Sequence, residues 1–122
     1  MEKYIKIFKA LSNKTRLRIF HLLIIAKKEL CICEIMDSLD IAQYNVSKQM
    51  RILKIAGIVK ERKEGKFVFY SIVSENDIIF KNIIKTILQM PEKFFKKDIE
   101  LLKKRLSLRI KGVCVIGVKK NF

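Results

Sequence analysis

The stretch VSKQMRILKIAGIVKERKEGKFVFYSIV changes its hydrophobic period once, at a glycine, and that change limits what the chain can fold into. Val46, Met50 and Leu53 recur at the spacing of one helical face, and Gly57 stands where a helix ends on a left-handed residue. Beyond it, β-branched and aromatic residues flank a charged turn containing Gly65, which predicts a two-stranded hairpin. Upstream, Ile32, Ile35 and Leu39 predict a short helix from about Cys31 to Leu39, facing inward. Only a few residues separate it from the next helix. Two short helices joined by a tight turn, then a hairpin, read as a helix-turn-helix with a wing.

The remainder is helical in period. Tyr4, Ile7, Phe8 and Leu11 predict a first helix, and Asn13 can cap a second bearing Leu17, Phe20 and Ile24. From Glu75 to Met90 two adjacent apolar stripes run side by side, Ile79, Ile83 and Ile87 beside Phe80, Ile84 and Leu88. That is more apolar surface than a small domain covers, so this helix predicts a homodimer interface, shared with the first helix and the segment after Pro91. Pro91 opens a last helix with Phe95, Ile99, Leu102 and Leu106 on one face. The fold class is therefore mainly α with a small β-hairpin. Residues 1–106 form one domain, and 107–122 are a C-terminal tail, strand or loose. With no apolar run of membrane-spanning length and no signal-peptide pattern, the expectation is a cytoplasmic protein without a membrane partner.

A formal net charge of +15 over 122 residues favours a polyanionic partner. The charge is spread along the chain, so location decides its meaning. On a helical wheel Gln43, Tyr44, Ser47, Lys48 and Arg51 share the face opposite Val46, Met50 and Leu53. Gln and Ser can bond base edges, and Lys and Arg reach phosphates or guanine, so this face predicts readout of double-stranded DNA. Arg62, Lys63 and Lys66 surround the hairpin tip, where a wing touches backbone. The basic residues from Lys93 to Lys120 read first as a solvated helix face and only second as a nonspecific DNA contact.

The segments ALSNKTRLRI, ELCICEIM, VSKQMRILKIAGIV and EGKFVFY, in this order and spacing from Phe8 to Ile72, resemble the ArsR/SmtB family of metal-responsive winged-helix repressors. The resemblance implies a homodimer that binds a palindromic operator and releases it when an inducer binds. Three residues depart from the family pattern: Ala42 replaces a capping Ser, Asp40 a turn Gly, and Gln49 a frequent His.

In the family's arsenic sensors and its cadmium and lead branch, a segment similar to ELCIC binds the inducing ion, which implies Cys31 and Cys33 as ligands for As(III), Sb(III) or another thiophilic ion. Thiolates suit soft ions. Were both residues in a regular helix, their side chains would point about 200° apart, so ion binding would have to unwind or re-aim the helix start. One arsenic-sensor branch carries a further Cys where this chain has Met36, a poor substitute. Cys114 is the remaining thiol: a third ligand if the tail folds back or reaches across a dimer, otherwise a small buried hydrophobe, with a small thiol or water completing the site. His21, the one histidine, lies in LRIFHLLII and reads as a core or helix-surface residue and not a metal ligand, and residues 75–90 lack the histidines that the resemblance implies for the family's zinc, cobalt or nickel site. Two other readings stay open: a repressor switched when an oxidant or reactive sulfur species joins Cys31 or Cys33 to Cys114 in a disulfide, and an architectural protein binding DNA by charge alone. Catalytic machinery is missing, so an enzyme is not expected.

Overall fold

Asn13, Asp40, Gly57 and Asp77 mark helix ends, and the ends of the helices Ile32–Leu39 and Gln43–Ile55 set the geometry of the site. The computed structural model describes residues 1–117. Asn13 accepts a hydrogen bond from the Arg16 backbone N–H and separates α1 (Glu2–Leu11) from α2 (Lys14–Ala26). α3 (Ile32–Leu39) stops at Asp40, whose φ of 54° is left-handed, and α4 (Gln43–Ile55) begins three residues later. Asp tolerates that conformation better than most residues, so the missing turn Gly is no obstacle. Ala42 precedes α4 without a side-chain cap. At the other end Gly57, with φ of 80°, donates to Lys54 O while Ile58 donates to Leu53 O, the paired bonds that close a helix through a left-handed glycine.

The predicted hairpin forms as β2 (Val59–Glu64) and β3 (Phe67–Ile72), antiparallel from Val59↔Ile72 to Glu64↔Phe67. A strand ahead of α3 was not expected. β1 (Leu30–Cys31) pairs with the outer edge of β3, Leu30 opposite Tyr70 and Cys31 opposite Phe69, giving the order β1-β3-β2. This corrects the start of the third helix, which begins at Ile32 rather than Cys31. Two residues are too short to display an alternating pattern, and only the long-range pairing reveals them.

α5 (Ile78–Leu88) starts at Asp77, whose carboxylate accepts from the Ile79 and Phe80 backbone N–H groups and from Tyr4 Oη, fastening α1 to α5. Pro91 leads into a short 3-10 turn, Glu92–Phe94, before α6 (Lys96–Leu106). α6 lies against α3 and α2 of its own chain, burying Phe95 and Leu102. The core gathers Ile19, Phe20, Leu22, Ile35, Val46, Met50 and Leu53 from α2, α3 and α4. His21 is buried and stacked on Phe95 at 3.7 Å, and burial lowers its pKa, so it belongs to the core in its neutral form. No described helix is long and apolar enough to cross a membrane.

Phe20 is fully buried, with its ring 6.2 Å from that of Phe80. Phe20→Ala leaves a void that these elements cannot close, and denaturant unfolding is expected to lose about 3–5 kcal/mol.

Candidate functional site

The extended backbone at Cys31 decides the geometry of the thiols. Because Cys31 sits in β1 as the residue before α3, with φ of −68° and ψ of 147°, the divergence expected of two helical residues does not arise. Its Sγ lies 2.9 Å from that of Cys33 in the first turn of α3. The expected unwinding of the helix start is therefore not needed to aim both sulfurs at one point.

The third sulfur arrives from the C-terminal segment. After α6 the chain turns through an Ile110↔Val113 bridge and folds back over α3, so that Cys114 Sγ comes within 3.6 Å of Cys33 Sγ. Of the two routes open to Cys114 in the sequence, the chain takes the intramolecular one. The three Sγ atoms lie within 4.8 Å of one another and all three residues are buried, walled by Phe69, Ile32 and Phe67. Three sulfurs bonded to one ion at about 2.3 Å lie at most about 4.0 Å from one another, so these thiols close on one ion once the widest pair draws in by up to about 1 Å. Among the described residues, the fitting donor set is three sulfurs.

The sulfurs are electrostatically unequal. The Cys33 thiol donates to Cys31, which holds the Cys31 pKa below the ordinary thiol range, while the Cys33 proton is correspondingly held and its pKa raised. Burial pushes the Cys114 thiol up. Cys31 is thus the first of the three to ionise, and an ion has to displace the protons on the other two.

Four residues around the thiols were not anticipated. Glu34 and Asp37 on α3 are buried carboxylates, paired with Arg109 and Arg105. The arginines lie in a basic stretch that reads as a solvated face. The available signal was weak: two arginines one helical turn apart, followed by the apolar run GVCVIGV. Lys119 and Lys120 of that stretch lie outside the described residues.

The second face of interest is on α4. Gln43, Tyr44, Lys48 and Arg51 are exposed and Ser47 is half-buried, opposite buried Val46, Met50 and Leu53. Gln49 points the other way: its Oε1 accepts from Arg16 Nη1 at 2.8 Å and its Nε2 donates to Asn45 Oδ1 at 3.0 Å, tying α4 to α2. On the hairpin, Lys63 and Lys66 are exposed near the turn. Arg62 is exposed but engaged, paired with Glu29 and Glu64 and lying 4.6 Å over the Phe69 ring that walls the thiols.

Removing the donor that stabilises the Cys31 thiolate should be visible directly. The first thiolate of the ion-free protein is expected to appear, by its absorbance, at a midpoint below the ordinary cysteine range. In Cys33→Ala that midpoint moves upward, because the folded-state pKa was depressed and its largest cause is gone.

Residues 13–61 match the pattern of the family described as bacterial regulatory protein, arsR family. Over 90 residues the chain is 47% identical to an uncharacterised HTH-type transcriptional regulator of Methanocaldococcus jannaschii, covering 71% of this chain and 97% of that protein. A cadmium resistance transcriptional regulatory protein CadC homolog of Staphylococcus aureus is 42% identical over 71 residues, 58% of each chain, so this chain spans little more than half of that relative's length. The AntR antimony-specific transcriptional repressor superposes with a TM-score of 0.61 at 25% identity, over 75% of this chain and 79% of that one. The likeness runs through the helix-turn-helix, the wing and nearly the whole of a related regulator, and the chain belongs to the arsR family of DNA-binding transcriptional regulators.

Proposed function

We propose that this regulator is a homodimeric repressor that leaves its operator when As(III), Sb(III) or a similar thiophilic ion binds Cys31, Cys33 and Cys114. One observation carries the reading: three buried thiols from three separate elements converge within bonding reach of a single ion. Three sulfurs with no fourth protein donor among the described residues suit a trigonal As(III) or Sb(III) centre better than zinc, which takes four ligands in structural sites. The related antimony-specific repressor points toward the same chemistry, and the related cadmium-resistance regulator toward soft ions in general. The cytoplasm, as a reducing compartment, keeps such thiols available.

The elements that supply the sulfurs also supply the mechanism. Cys31 is paired across the sheet with Phe69 of the wing strand, and Cys33 belongs to α3, which packs on the recognition helix α4. An ion bonded to both therefore ties the wing to the helix-turn-helix. Where the tied arrangement differs from the one that fits DNA, the ion's preference for the former shifts the protein off its operator. In the DNA-bound form α4 enters the major groove with Gln43, Tyr44, Ser47, Lys48 and Arg51 toward the bases and phosphates, and the wing follows the backbone through Lys63 and Lys66. Arg62 contributes there by exchanging Glu29 or Glu64 for a phosphate. Dimerisation uses the apolar face of α1 and α5, where Phe8, Ile78, Ile79 and Leu88 are exposed; two copies then present two recognition helices to a palindromic site.

The 2.9 Å approach of Cys31 and Cys33 also favours a second reading, in which a peroxide oxidises the two thiols to a disulfide and is itself reduced to water. A reductant in the assay separates the two.

The deciding experiment is operator release against arsenite under reducing conditions. Cys31→Ser/Cys33→Ser is expected to bind operator like the parent and to stay bound at arsenite concentrations that release the parent, since hydroxyls do not replace thiolates for a soft ion. Release at the parental concentration would end the reading. For the DNA face, Gln43→Ala is expected to cost about 1–3 kcal/mol on operator relative to random DNA, whereas Lys63→Ala weakens both alike and lowers the salt slope by about 1. Equal losses on both DNAs for Gln43→Ala would remove it from base readout.

A further inference from the structure

Beyond α6 the described chain has little regular structure, yet it is fastened tightly. Arg105, with a side chain 1% exposed, donates from Nε to Asp37 Oδ2 at 2.7 Å and from Nη2 to the carbonyls of Ile116 at 2.6 Å and Gly117 at 2.8 Å. Arg109 forks onto Glu34 at 2.7 and 2.6 Å, and also donates to Glu29 O at 3.0 Å and to Gly112 O at 3.3 Å. Each guanidinium therefore grips α3 with one edge and the C-terminal segment with another. Cys114 lies between the two gripped points, Gly112 and Ile116. Its Sγ is 3.5 Å from Ile116 O, the same carbonyl that receives Arg105.

Buried ion pairs are a poor source of stability, because desolvation consumes most of the attraction and an apolar pair of similar volume usually does as well. Their geometry is another matter. A guanidinium offers five donors in a fixed plane, so it fixes the direction of whatever it binds. Here two such planes are spent on a segment whose one buried hydrophobic residue is the cysteine that completes the thiol set.

We propose that Arg105 and Arg109 are positioning residues of the thiol site: they latch residues 107–117 onto α3 and thereby set Cys114 as the third sulfur before any ion arrives. The proposal deepens the ion-sensing reading and rests on it for its consequence, but the latch exists in the ion-free protein and can be tested there. A preset third sulfur raises affinity because the segment is not ordered at the moment of binding.

The test uses the full chain under reducing conditions, in two arms. In the ion-free arm, alkylation of each cysteine by iodoacetamide is followed by mass spectrometry. Cys114 is expected to react about tenfold faster or more in Arg105→Gln and Arg109→Gln than in the parent, since the segment now opens without the domain unfolding. Arg105→Gln/Asp37→Asn, which removes both charges of one pair, and Arg105→Lys, which keeps the charge but lacks the fork, guard against failure to fold and are expected to expose Cys114 in the same way. Cys114 reacting at the parental rate in every folded variant would overturn the latch.

In the second arm, arsenite affinity is measured for Arg105→Gln, Cys114→Ser and the double variant. If Arg105 acts by positioning Cys114, each single variant loses about tenfold or more and the double loses no more than Cys114→Ser alone. Losses that multiply would assign Arg105 a general structural role and overturn the proposal. A parent protein that binds no arsenite would defeat the sensing reading, while the alkylation arm still decides the latch.

Discussion

A carboxylate with no exposed surface has to be fully bonded, and Glu34 meets that demand by joining parts of the chain that would otherwise not meet. Its Oε1 accepts the Cys31 backbone N–H at 2.9 Å, and both its oxygens receive Arg109. The first bond holds the strand-to-helix corner that turns Cys31 toward Cys33. The second brings the C-terminal segment down on that corner. The corner that carries Cys31 and the segment that carries Cys114 thus both bear on one acidic residue in the first turn of α3.

The parts of this architecture that depend on neighbours in sequence were legible before any coordinates. Asn13, Gly57 and Gly65 mark ends and turns by backbone chemistry alone, and the stripe of Val46, Met50 and Leu53 fixes which face of α4 packs. What stayed hidden depends on residues far apart. β1 is two residues long and exists because Tyr70 and Phe69 are there to pair with it. The corner at Cys31 follows from that pairing, and so the expectation of two diverging helical sulfurs failed at its first step.

Charge misled for a related reason. A basic residue in a lysine-rich stretch looks solvated until its partner is known, and the partners of Arg105 and Arg109 are 68 and 75 residues away in sequence. Cys114 was legible as an available thiol but not as a neighbour of Cys33. The exposed face of α4 was easier, because a helix with one buried face must expose the other.

Because all three sulfurs come from a single chain, the proposed dimer would carry two complete detectors that need not consult each other. A site assembled across a subunit boundary would make occupancy and assembly one event. On the proposed reading a half-occupied dimer would be a species of its own, with one arm altered and the other still shaped for its half-site. Transcription would then climb in proportion to the dose of the toxic ion instead of flipping at a threshold, unless the dimer interface itself passes the change from one subunit to the other.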